Sequence, residues 1–159
     1  MRCKQSRTPE AARIASSGLY LMEVFPALAL ASLSRNFFGR LTAPRYNPGC
    51  RKTFRPEHWI AVTQAAARES ELLKCAEVAE WCHEASRIAR PQKMNQDMLD
   101  AVLCVLIALR WRLHPREESL LLGDLINGYM VLPAIPAVRE RLIVAAQKAP
   151  VPIDDPHAR

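Results

Sequence analysis

Glycine is scarce. Only five occur in 159 residues, and none stands in a G-x-S-x-G elbow, a G-x-x-x-x-G-K-[ST] phosphate loop or a G-x-G-x-x-G dinucleotide turn. Those motifs need glycine so that the chain can turn tightly and main-chain N–H groups can reach an oxyanion or phosphate. Their absence sets aside serine-type acyl transfer and the common nucleotide-cofactor folds. The five cysteines (Cys3, Cys50, Cys75, Cys82, Cys104) are odd in number and contain no C-x-x-C pair, so neither a disulfide framework nor a zinc ribbon is written here. A reducing, cytoplasmic setting fits that usage. The four histidines, His58, His83, His114 and His157, show no H-E-x-x-H or C-x-x-C-H spacing and supply no zinc site. Internal repeats are absent. No apolar run is long enough to span a membrane, and Glu23 and Pro26 interrupt the stretch before Ala29-Leu30-Ala31-Ser32, which otherwise imitates a signal-peptide cleavage site. That stretch reads instead as a strand followed by a helix.

Acidic residues are missing from one region in particular. Between Glu23 and Glu57 there is none, while Arg35, Arg40, Arg45, Arg51, Lys52 and Arg55 all fall inside, interleaved with Phe37, Phe38, Tyr46 and Phe54. The whole chain carries 22 Lys+Arg against 16 Asp+Glu, a net charge of +6, so this segment concentrates the basic excess. Pro44, Pro48 and Gly49 make it an irregular loop. Cations beside aromatics on such a loop suit contact with a phosphate backbone, with Arg45, Arg51, Lys52 and Arg55 as the contacting residues. No base-reading motif accompanies them, so the contact expected is to nucleic-acid backbone rather than to sequence. The bland alternative is a solvated basic loop.

A chain of this length suits one domain. The reading divides it into a polar segment 1–18, a folded domain 19–149 and a frayed tail 150–159. Leu19 to Phe25 reads as a strand stopped by Pro26, and Ala27 to Leu33 as a helix. Helical pattern resumes at Pro56 and continues to Arg90, long enough to suggest a break near Glu69-Ser70. Leu72, Cys75, Ala76, Ala79 and Cys82 would bury one stripe of the second piece. A further helix, capped by Asn95, runs to Trp111. Leu120–Asp124 and Gly128–Pro133 follow, the latter a short strand, and then a helix over 135–149 with Val138, Leu142 and Ala145 inward.

Two acidic spots stand against this frame. Glu23 ends an apolar strand, at the kind of edge where open α/β sheets place their sites. Asp97 and Asp100 lie on the helix to Trp111, sharing a face with Cys104. Acids in a first helical turn stabilise the dipole by about 0.3–1 kcal/mol, which is the plain explanation for both. Asp100, however, adjoins the most apolar stretch, where an unpaired carboxylate is costly unless it meets a cation, a metal or hydrogen bonds.

Taken in order, Glu-Val-Phe-Pro-Ala, Lys52 in a basic loop, Asp-Met-Leu-Asp-Ala, and Gly-Asp followed by Gly-Tyr-Met-Val-Leu-Pro resemble the C-terminal part of the predicted RNase H-like nucleases, a domain-of-unknown-function family, over Leu19 to Pro133. The resemblance implies an α/β, helix-rich fold of ribonuclease-H-like type. It implies metal-dependent phosphodiester hydrolysis, with Glu23, Asp97 and Asp100 catalytic, Glu23 and Asp100 as ligands of Mg²⁺ or Mn²⁺, and Arg51 or Lys52 on a phosphate. The family begins with a strand carrying an aspartate beside glycines, and later has an Asp-Pro strand. Neither is present here, so the expectation is a partial fold lacking its N-terminal strands. Such a fold is inactive alone and open to self-association, or to a partner segment, along a bare sheet edge. The alternative reading is a non-catalytic helical module that binds nucleic acid or protein.

Overall fold

The computed structural model describes residues 8–37, 43–124, 126–149 and 151–156. Among them the chain is α/β and helix-rich. Six α-helices are α1 (Pro9–Ile14), α2 (Pro26–Leu33), α3 (Pro56–Leu72), α4 (Ala76–Ser86), α5 (Lys93–Leu113) and α6 (Pro136–Lys148). Four strands, β1 (Glu23–Val24), β2 (Ser119–Asp124), β3 (Gly128–Pro133) and β4 (Ile153–Asp154), form one mixed sheet in the order β1-β3-β2-β4. β1 runs parallel to β3, and the other neighbours are antiparallel. No described helix is long and apolar enough to cross a membrane.

Proline opens α1, α2, α3 and α6, where its fixed φ suits the helix and its missing N–H is not needed. The break in the long helical stretch falls at Lys74, four residues beyond Ser70, where a left-handed φ of 59° ends the α3 ladder. Ser70 stays helical, its hydroxyl donating to the Ala66 carbonyl at 2.8 Å. The shifted break also divides the expected stripe. Ala79 and Cys82 are buried, but Leu72 and Ala76 are exposed and Cys75 is half-buried. Burial pushes the Cys82 thiol up to about 11, so it serves as an inert core residue. α4 ends at Ser86 rather than Arg90.

α5 begins two residues before Asn95. Gln92 is its N-cap and Asn95 closes a reciprocal capping box, its side chain accepting the Gln92 N–H at 2.8 Å. Asp97 and Asp100 therefore lie beyond the first turn, and the helix dipole no longer accounts for Asp100.

The largest core cluster joins α2, α3, α4 and α5 through Leu30, Trp59, Val62, Cys82, Leu99 and Leu103. The β2–β3 hairpin alternates as a two-faced sheet requires. Leu120 and Leu132 pack with α2, α6 and Ile107, and Leu121 and Val131 pack with Trp111. Gly123 has φ +104°, and a Cβ there would lie 2.2 Å from the Gly128 carbonyl, so only glycine fits. Asp124, at the end of β2, caps the turn by accepting the N–H groups of Ile126 and Asn127 at 2.7 Å each.

Three other expectations change. The strand expected from Leu19 is ordered as a strand only at Glu23 and Val24, and Leu19 and Leu21 are exposed. Ala145 is exposed, leaving Val138 and Leu142 to face inward with the stem of Arg139. The C-terminal segment is docked where it is described: β4 pairs with β2, and the buried Asp155 accepts a hydrogen bond from buried Arg139.

Candidate nucleic-acid interface

The basic segment is built by backbone hydrogen bonds onto the start of α3. The Arg45 N–H donates to His58 Nδ1 at 2.7 Å, and the Arg45 carbonyl accepts the Arg55 N–H at 2.8 Å. Both ends of the loop are thereby closed at one point. Inside it, Asn47 Oδ1 accepts the Gly49 N–H at 2.8 Å, and the Cys50 carbonyl accepts from Thr53 and Phe54 at 2.9 Å. Those turns hold Arg51 and Lys52 at the exposed crown. Arg45, Arg51, Lys52 and Arg55 are all exposed, and none is in an ion pair with a described acid. Arg40 and Phe38 lie outside the described residues.

The aromatics of the segment have a different use from the stacking expected of them. Phe37 and Tyr46 are buried and Phe54 is half-buried, all three in the main core cluster. They fasten the loop while the cations point outward. Tyr46 makes the decisive contact, since its hydroxyl donates to Asp100 Oδ1 at 2.6 Å. Asp100 Oδ2 accepts from Gln96 Nε2 at 2.5 Å. Burial first, then the hydrogen bond to Asp100 and its negative charge, push the Tyr46 phenol far above its ordinary range. The nearby Cys104 thiol is likewise raised, by burial and then by Asp100. Sequence reasoning named Asp100 and the loop separately. It missed Gln96 and His58, whose only signals are a polar residue one turn before Asp100 and a histidine two residues into a proline-started helix.

The other carboxylates lie apart from this contact. Asp97 is exposed and paired with Lys93 one turn earlier. Glu23 is exposed on β1, in register with Met130. β1 packs through Val24 in the cluster that contains Ile107, and from Asp100 to Ile107 the rise along α5 is about 10 Å. The structure thus gathers Asp100 with Tyr46, Gln96 and Cys104, and leaves Glu23 on the sheet edge. Among the described residues no group of three or more His, Cys, Asp and Glu side chains is disposed to hold a metal ion. Both Asp100 oxygens are engaged by protein donors. These residues by themselves do not fit a divalent-cation centre.

No family model, curated protein or solved structure matches the chain. What it can do is therefore argued from its own residues.

Replacing Tyr46 by phenylalanine is expected to destabilise the fold by about 1–3 kcal/mol, because Asp100 Oδ1 loses its donor in a half-buried place. The substitution also flattens the alkaline limb of stability. Folded Tyr46 holds its proton where the unfolded chain releases it near pH 10, so the folded state binds more protons there and stability falls as pH rises beyond that point. Urea unfolding of both proteins at pH 8 and 10.5 measures each effect. An equal alkaline loss in the two proteins would be inconsistent with this role for Tyr46.

Proposed function

We propose that this chain is an RNase H-like module that holds nucleic acid by the backbone through its 45–55 loop and carries Asp100 and Glu23, which lie apart, as carboxylates that would each need partners from outside the chain to form a phosphodiester-cleaving centre. The single observation that supports the reading is the Tyr46–Asp100 hydrogen bond, which ties the cation-bearing loop to the carboxylate helix. Glu23 belongs to the reading through the family resemblance, and further carboxylates, from a partner or a second copy on the β1 edge, would have to accompany it. Mg²⁺ or Mn²⁺ is the cofactor that this reading implies.

A purely non-catalytic binding module is the second reading. It is favoured by the pairing of Asp97 with Lys93 and by the lack of a three-donor group among the described residues. Calorimetry with Mn²⁺ separates the two, first on the chain alone and then with a single-stranded oligonucleotide present. The nuclease reading expects weak Mn²⁺ binding that the oligonucleotide strengthens and that Asp100→Asn and Glu23→Gln each reduce. Binding that is absent, or indifferent to both substitutions, would leave the non-catalytic module.

A further inference from the structure

Resting on the nucleic-acid reading, we propose that the cleft between the loop and the start of α3 is a pocket for one terminal nucleotide, distinct from the Arg51–Lys52 crown that tracks the backbone. The cleft has a volume of about 630 Å³, inside the roughly 300–1,000 Å³ typical of small-molecule sites. Arg45, Arg55 and His58 line it together with Asn36, Phe37 and Glu57.

The same hydrogen bonds that close the loop fix the backbones that carry the donors, and the Arg55 guanidinium gives one of its N–H groups to the Phe54 carbonyl at 2.9 Å. Arg45 and Arg55 are joined through their backbones at 2.8 Å, so two guanidinium groups start from adjacent points on the rim. His58 accepts the Arg45 N–H on Nδ1, so its neutral ring keeps the proton on Nε2 as a donor. The N-cap of α3, Arg55, makes no side-chain capping bond, and the first-turn N–H of Glu57 adds to the positive end of the helix dipole. This is a set of donors for a phosphate with two or more negative charges, as a terminal phosphate has. Planar guanidinium groups meet such oxygens in bidentate fashion.

The remaining lining is wrong for a bare anion and right for a nucleoside. Glu57 is the one acid among the described residues of the wall and, as a carboxylate, can only accept hydrogen bonds, so it would repel inorganic phosphate but take a sugar hydroxyl or a base amino group. Asn36, exposed on the short 3₁₀ turn Arg35–Phe37, offers both a donor and an acceptor, and Phe37 supplies an apolar surface. A phosphate toward the two arginines and His58, with its nucleoside toward Asn36, Glu57 and Phe37, would use every group named.

The test is calorimetry at low ionic strength with a 5′-mononucleotide, inorganic phosphate and a single-stranded oligonucleotide lacking terminal phosphates. It is run on the full chain, on Arg55→Gln, and on the double substitution Arg51→Gln/Lys52→Gln, all of which are exposed. The proposal expects mononucleotide binding tighter than phosphate binding, weakened at least tenfold by Arg55→Gln and unchanged by the double substitution. It also expects the double substitution to weaken the oligonucleotide. Phosphate binding as tightly as the mononucleotide, or mononucleotide binding indifferent to Arg55→Gln, overturns the pocket. Oligonucleotide binding that depends on Arg51 and Lys52, with no mononucleotide binding, overturns the pocket and leaves the nucleic-acid reading standing. Failure of both ligands overturns both.

Discussion

Replacing Arg45, Arg51, Lys52 and Arg55 together by glutamine should weaken single-strand binding by on the order of 10²-fold at 0.15 M salt and reduce the slope of log K against log salt by about 3. The estimate follows from counterion release, in which each neutralised single-strand phosphate contributes about 0.7 to that slope. Four cations without acidic partners among the described residues are free to make four such contacts. Stability should change by no more than about 0.5 kcal/mol, since all four side chains are exposed and the loop is closed by backbone groups. The control removes the same charge elsewhere. Lys74, Arg87, Arg90 and Lys148 are exposed, and changing them to glutamine takes the net charge from +6 to +2, as the loop substitutions do. If binding is local to the loop, the control keeps most of its affinity and its slope. Equal losses in filter-binding titrations of the two variants would mean that only the overall charge matters, and the loop assignment would be wrong.

The loop was legible in the sequence because charge patterning is local. An acid-free stretch remains acid-free however it folds, and prolines and glycine mark it as irregular. The helices were legible for the same reason, through Pro26, Pro56 and the apolar periodicity that follows them. What escaped depends on groups far apart in the chain. Tyr46 and Asp100 are 54 positions apart, and no spacing rule joins them. The tail at Ile153–Asp154 reads as polar and frayed because its strand partner, β2, lies some thirty residues earlier, and Asp155 is held by Arg139 on α6. The helix break moved from Ser70 to Lys74 because Ser70 satisfies its hydroxyl within the helix, a choice that side-chain propensity does not reveal. The carboxylates illustrate the other limit. Residue type marked Glu23, Asp97 and Asp100 as equals, whereas geometry separates a solvated strand-edge acid, a salt-bridged acid and a hydrogen-bonded, half-buried one. For the last, hydrogen bonds from Tyr46 and Gln96 meet the requirement that burial beside an apolar stretch sets for a carboxylate.

Glu69→Ala should cost about 3–5 kcal/mol, the largest single-residue effect expected outside the apolar core. Glu69 looks in the sequence like a solvated acid near a helix end, yet it is 3 % exposed and receives Arg110 Nη1 on both oxygens, at 2.8 and 3.0 Å. Arg110 in turn donates to Glu118 at 3.2 Å, and its Nε has no partner among the described residues. Removing Glu69 therefore leaves a guanidinium, 12 % exposed, with only one weak and more solvated acid. An unpaired charge in that position is expensive, and a typical domain has only about 5–15 kcal/mol to lose. Removing both charges tests the cause. In Glu69→Leu/Arg110→Leu the buried ion is gone, and the loss should be clearly smaller than for Glu69→Ala, because desolvating the pair offsets much of its attraction. Urea midpoints for Glu69→Leu, Arg110→Leu and the double substitution complete the cycle. Additive losses would show that Glu69 acts only by filling space. The pair also joins the far end of α3, the helix whose first turn carries His58, to α5, the helix that carries Asp100. If it fixes their relative position, the Glu69→Ala protein that remains folded should bind a single-stranded oligonucleotide more weakly while keeping the full salt slope, since every loop cation is still present.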